Sequence, residues 1–77
     1  MAFYKHGSYL GQQFDASFDQ TFHPEAETPY SGIYRCEGCG HEIAAVRAHR
    51  LPPQNHHQHT IYDGSVRWKL IVKASHL

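Results

Sequence analysis

Cysteine is scarce in this chain of 77 residues: there are two, Cys36 and Cys39, against eight histidines. Two thiols three positions apart close only a trivial loop, so a disulfide framework is excluded as the means of holding the fold together. There is no run of eighteen apolar residues and no apolar stretch behind a basic N-terminus. The expectation is therefore neither a membrane span nor a signal peptide, and a reducing cytoplasmic setting in which thiolates are free to bind metal. A glycine-rich phosphate loop, a serine elbow and a pair of carboxylates in an apolar setting are all missing, which removes the common catalytic sets. Charge of one sign is missing too, since seven basic residues balance seven acidic ones. The balance is uneven along the chain, with a net of −3 over residues 1–31 and +3 over residues 32–77. That reads as a mildly acidic arm and a mildly basic folded part.

Size sharpens the question of what holds the fold. A chain this short buries only about 60% of its extended surface, so folding is marginal without a disulfide, a metal or a partner. A metal is the natural staple here. Cys36-Glu37-Gly38-Cys39-Gly40 follows a β-like run, and Asn55-His56-His57-Gln58-His59 follows after a spacer. Together they read as Cys-x2-Cys-x16-His-x2-His, the spacing of a four-ligand Zn2+ site built from two tight turns. The expected ligands are Cys36, Cys39, His56 and His59, with His57 as the alternate to His56. Gly38 and Gly40 are expected to supply the unusual φ values of the first turn. His41 reads as an exposed turn residue. Two thiolates neutralise one Zn2+, and a site filled by four protein groups leaves no water to activate. The pattern therefore points to structure and away from an enzyme.

Organisation follows from periodicity. Residues 1–30 read as an N-terminal arm and linker. Leu10, Phe14, Phe18 and Phe22 recur every fourth position, as on one face of a short helix, while Phe14, Ala16 and Phe18 alternate as in a strand. Their phenylalanines either await a partner or cover one side of the metal domain. His23–Pro29 reads as linker, since its two prolines exclude a helix interior or a central strand. Residues 31–77 form the expected zinc-ribbon domain. Gly32–Cys36 and Glu42–Val46 make a hairpin around the first turn, Asp63-Gly64 marks a turn, and Val66–Lys73 is a third strand. Val66, Trp68, Leu70 and Val72 should share one face of it.

The run Tyr34-Arg35-Cys36-Glu37-Gly38-Cys39-Gly40-His41-Glu42-Ile43 resembles the first knuckle of rubredoxin-like zinc ribbons. Leu51-Pro52-Pro53 and Trp68-Lys69-Leu70 are similar to the flanks of the second knuckle in small bacterial zinc-ribbon proteins of unknown function. The likeness spans residues 31–73. It implies a small mostly-β zinc ribbon, with a three-stranded antiparallel sheet, two metal-binding turns and an irregular N-terminal arm. Histidines stand where those ribbons carry a second cysteine pair, so the four-thiolate iron site of electron transfer is not expected. The expected function is a non-catalytic structural zinc domain that meets another protein through its aromatic arm. The alternative is a nucleic-acid-binding ribbon using Arg35, Arg47, Arg50, Arg67 and Lys69 with Tyr62 or Trp68. Zero net charge and the lack of a basic run weigh against it.

Overall fold

The computed structural model describes residues 1–53, 59–60 and 62–75. The fold is mostly β: strands β1 (Thr21–Phe22), β2 (Gly32–Cys36), β3 (Glu42–Ala45) and β4 (Trp68–Lys73), with 3-10 turns at Gly7–Tyr9 and Ala16–Phe18. The strands form one antiparallel sheet in the order β1-β4-β2-β3. The sheet thus has four strands, correcting the three expected. The additional strand is β1, which pairs Thr21 with Lys69 and Phe22 with Trp68. Two residues are too few to display a strand's alternation, so its only signal lies in the strand it pairs with.

The hairpin forms where its side chains demand it. In β2 and β3, Tyr34 faces Ile43 across the strands and Arg35 faces Glu42. Tyr34 and Ile43 turn to the core, and Arg35 and Glu42 to the opposite face, as a period of two requires. The core holds Tyr34, Cys36, Leu51, Val66, Trp68 and Leu70, with Phe18, Phe22, Ala26, Ile43 and Ala45 packed against it. Phe22 meets the Tyr34 ring edge-on at 6.2 Å between centroids. The Tyr34 hydroxyl donates to the Tyr30 carbonyl at 2.6 Å, which satisfies its polar end inside the core.

One face assignment needs correction. β4 begins at Trp68, and Val72 does not share the core face with Trp68 and Leu70. Tyr34 pairs with Leu70 but Ile33 pairs with Val72, so the register shifts between Ile33 and Tyr34. Ile71 is the extra residue of a bulge, and a bulge exchanges the faces of all that follow it. Val72 therefore sits across from Ile33 on the outer face, and both line a groove there.

The phenylalanines at fourfold spacing do not form a helix. Asp15 caps the turn Ala16–Phe18 by accepting from Ser17 N at 3.3 Å, Phe22 enters β1, and Phe14 is 87% exposed. Phe18 and Phe22 cover one side of the core. The prolyl stretch that follows pairs antiparallel with residues 48–52: Leu51 N donates to Ala26 O at 2.9 Å, Thr28 N to His49 O at 2.9 Å and Ala48 N to Thr28 O at 2.8 Å. Thr28 is buried, and its hydroxyl reaches Val46 O at 2.6 Å and His49 O at 3.0 Å. Pro24 and Pro29 fit because the pairing donors lie between them.

Candidate metal centre

Three side chains that can hold a metal ion converge at one end of the sheet. Cys36 is the last residue of β2 and is fully buried, pairing across the sheet with Trp68. The chain then turns tightly. Gly40 N donates to Cys36 O at 2.7 Å, and Cys36 N donates to His41 O at 2.7 Å. This places exposed Cys39 back beside Cys36. Glu37 N donates to Arg67 O at 2.7 Å, fastening the turn to the segment that leads into β4. His59 arrives from the other side. One ligand atom each of Cys36, Cys39 and His59 lies within 4.8 Å of the others.

The second turn fixes the His59 ring. Asp63 N donates to Thr60 O at 3.1 Å, Thr60 N to Asp63 Oδ2 at 2.8 Å and Tyr62 N to Thr60 Oγ1 at 3.3 Å. Gly64 closes the turn with φ of 75°, in the region that favours glycine. Its carbonyl sits 2.7 Å from His59 Nδ1. A carbonyl only accepts, so Nδ1 carries the proton and Nε2 keeps its lone pair. That Nε2 lies 3.4 Å from Cys36 Sγ. A tetrahedral zinc with sulfur at about 2.3 Å and nitrogen at about 2.05 Å separates the two donors by about 3.6 Å. The observed separation falls within the roughly 0.2 Å tolerance expected of a metal site.

Gly38 is needed for a different reason from the one its sequence suggests. Of the two glycines in the first turn, only Gly40 has a positive φ, 82°. At Gly38 a Cβ would lie 2.6 Å from Asp63 O and 2.8 Å from His59 Cε1. Its bare backbone lets the two turns approach each other, so close approach replaces conformational freedom as its role.

The electrostatics follow the same geometry. Burial pushes the Cys36 thiol up, but backbone amides of Arg67, Gly38 and Cys39 outweigh it, leaving the group below its ordinary value. Cys39 is raised, by burial and then by the neighbouring Cys36 sulfur, against the opposing pull of the His41 amide. His59 is raised, first by the Gly64 carbonyl and also by Cys36, although burial opposes this. One thiol thus leans toward the thiolate form that binds metal.

Of the four ligands expected from spacing, the structure brings Cys36, Cys39 and His59 together. His56 and its alternate His57 lie outside the described residues. Sequence reasoning read Asp63-Gly64 as a turn but missed the Gly64 carbonyl as the anchor of the His59 ring. It also missed the amides directed at Cys36. Backbone groups leave no residue-type signature, although the turn motif four residues beyond His59 marked the place.

Comparison with known proteins places the chain by kinship. No family model matches it, and no solved structure matches it. "Protein L" of Escherichia coli is 45% identical over 63 aligned positions, covering 75% of this chain and 71% of the relative. The chain belongs to the Protein L family. That membership assigns no reaction, so the chemistry of this Protein L relative rests on its donor set. Two sulfurs and one imidazole suit zinc, a borderline-soft ion without a geometric demand of its own. No helix among the described residues is long and apolar enough to cross a membrane.

Proposed function

We propose that this chain is a small non-catalytic domain in which a zinc ion, held by Cys36, Cys39 and His59, supplies folding free energy while the surface meets another protein. The observation that carries the reading is the His59 ring, clamped through Nδ1 by Gly64 O at 2.7 Å with Nε2 turned to Cys36 Sγ at 3.4 Å. Metal-bound histidines characteristically give their second N–H to such an acceptor. Two turns closing on one ion from opposite sides fit a rubredoxin-like ribbon in its Cys2His2 form, with His56 or His57 as the fourth ligand. With His56 or His57 as fourth ligand no position would remain for a reactive water, in keeping with the non-enzymatic reading, and the thiol usage suits the cytoplasm. When bound, the ion would act as a crosslink between the end of β2 and the turn before β4. Apparent zinc-binding energies of about 10–16 kcal/mol in finger peptides exceed the roughly 5 kcal/mol that so small a core supplies.

A nucleic-acid role draws less support from the basic side chains. Arg35 lies 3.4 Å from Glu37 and Lys73 3.1 Å from Asp15, while Arg50 and Arg67 donate to the carbonyls of Glu25 and Ser65. Three of the five cations named for that role, Arg35, Arg50 and Arg67, are thus engaged within the chain, as is Lys73.

The test is native mass spectrometry of protein purified without added metal, with Cys36→Ser, His56→Ala, His57→Ala and His59→Ala alongside. The expected result is one zinc per chain, lost with Cys36 and His59 and with one of the two remaining histidines. Zinc retained in both Cys36→Ser and His59→Ala would overturn the reading.

A further inference from the structure

Cys36 and Cys39 are the whole thiol content of the chain, and they share one turn. Their sulfurs lie within 4.8 Å of each other at the end of β2. The two differ sharply in access. Cys36 is 0% exposed, while Cys39 faces solvent. An accessible thiol beside a shielded one channels oxidation into a disulfide, because the shielded sulfur traps the oxidised one before it reacts again.

The turn lets the sulfurs meet. A disulfide holds them about 2.05 Å apart, so at most about 2.8 Å of closure is required. Cys39 is the sulfur with room to swing, being exposed and flanked by Gly38 and Gly40. The Cys36 sulfur also faces His59 Nε2 at 3.4 Å. Once the two sulfurs are bonded to each other neither is a thiolate, and the donor cluster is reduced to one imidazole. The bond spans only residues 36–39, a ring too short to remove much entropy from the unfolded chain. With one sulfur exposed as well, it belongs to the labile, readily reduced class of disulfides.

We propose that Cys36 and Cys39 form a reversible peroxide-oxidation site, whose disulfide excludes metal from the donor cluster. The exclusion rests on the zinc reading above, whereas the disulfide rests on the two sulfurs alone.

The chemistry runs in two steps. The Cys39 sulfur, as thiolate, attacks one oxygen of hydrogen peroxide. The O–O bond breaks, the departing hydroxide takes up a proton as water, and Cys39 becomes a sulfenic acid. The Cys36 sulfur then attacks the Cys39 sulfur. The S–O bond breaks, and the second hydroxide leaves as water with the Cys36 proton. Two thiols lose two electrons, and one peroxide gains them to give two waters. Where both sulfurs begin as thiolates, the two protons are drawn from solvent.

The experiment treats the full chain, as purified, with hydrogen peroxide in stoichiometric steps. Intact mass, zinc content by native mass spectrometry and Trp68 emission are read on each sample. The expected product is lighter by about 2 Da, the loss of two hydrogens, with one zinc lost per disulfide formed. Both cysteines fall between Arg35 and Arg47, so the tryptic peptide of residues 36–47 should carry the whole change. Oxygen gained at Met1, 88% exposed, falls on a different peptide. Trp68 is the single tryptophan and the cross-strand neighbour of Cys36, so its emission should shift in step. A thiol reductant with added zinc should restore mass, metal and emission. Cys39→Ser should give no lighter product, and Cys36→Ser should run on to the sulfinic acid, heavier by about 32 Da. Each variant also removes a metal donor, so the wild-type peptide decides wherever a variant fails to fold. Cysteines in that peptide that gain oxygen without forming the disulfide overturn the proposal. So do thiols left unreacted at excess peroxide, and so does a disulfide form that keeps its zinc. Protein that carries no zinc before treatment, yet forms the disulfide, overturns the metal reading and supports the oxidation site.

Discussion

Gly38→Ala separates the two ways in which glycine serves the metal turn. The added Cβ would lie 2.6 Å from Asp63 O and 2.8 Å from His59 Cε1, closer than atoms in real structures approach. Neither obstacle yields cheaply. Asp63 O is backbone in a turn closed by the Asp63–Thr60 bond, and the His59 ring is held by Gly64 O at 2.7 Å. The turns must therefore part by several tenths of an ångström, and the first thing to move is the donor atom facing Cys36. Overpacking of this kind costs about 1–3 kcal/mol. If that cost falls on the metal-bound state, zinc affinity drops about 5- to 150-fold, at 1.4 kcal/mol per decade. Gly40→Ala supplies the contrast. There the φ of 82° carries a strain of about 1–2 kcal/mol, while the nearest side-chain atom is the flexible end of Arg35 at 3.3 Å. It should lower the stability of the zinc-free and zinc-bound protein alike. Gly11→Ala, with nothing within 4 Å of the added carbon, should change neither. Chelator competition measures affinity, and urea unfolding with and without zinc measures stability. Wild-type zinc affinity in Gly38→Ala would refute the closure of the two turns on one ion.

Thr28→Val removes the buried hydroxyl that reaches Val46 O and His49 O, so both part-buried carbonyls lose that donor. Urea unfolding should show a loss of about 1–3 kcal/mol. Gly32→Ala would set a Cβ 1.9 Å from the backbone oxygen of Val72, forcing β2 and β4 apart. A loss of about 3 kcal/mol or more is expected, seen as a lowered unfolding midpoint. Zinc affinity should rise with pH, because the ion needs a neutral His59 and two thiolates. His59 has a raised folded value, so in the zinc-free protein its proton stabilises the fold below the ordinary 6.5. That contribution disappears as pH climbs through the raised value, and affinity should keep increasing above 6.5 over the same window. Chelator competition on the wild type across this range checks it, and an affinity that stops rising at 6.5 would count against it.

Legibility in the sequence followed the range of the interaction. The hairpin of β2 and β3 was readable because alternating residues flank a turn whose chemistry is local, from Gly32 to Ala45. β4 was readable from Trp68 to Leu70 and then misread at Val72, since a bulge is decided by the partner strand and leaves no mark on residues 71–73. β1 was invisible for the same reason: Thr21 and Phe22 are a strand only because Lys69 and Trp68 lie beside them. The stretch 23–29 read as linker because its prolines weigh heavily in any local pattern. What orders it is the buried Thr28 and three backbone bonds to residues 48–51, partners about twenty positions away. Cys36, Cys39 and His59 were legible because metal spacing is a covalent property of the chain, while the Gly64 carbonyl that orients His59 is backbone and carries no name.

On the zinc reading, the position of the three donors would explain why so small a core suffices. Cys36 is both the last core residue of β2 and a donor, and its cross-strand neighbour Trp68 is the largest fully buried side chain. An ion bound at that point would join the end of the hairpin to the turn that launches β4, the two elements with the most extensive pairing in the sheet. The loop it closes, from Cys36 to His59, contains Leu51, a core residue otherwise held by backbone bonding to Ala26. Closing that loop therefore restrains Leu51 and the long connection around it at once, where the entropy cost of order is greatest. The aromatic arm would gain nothing from this crosslink, since none of the three clustered donors lies in residues 1–16. The donor cluster and the aromatic arm thus stand apart on one sheet: the three donors sit at its end, and the exposed aromatics of the arm lie beside its outer face.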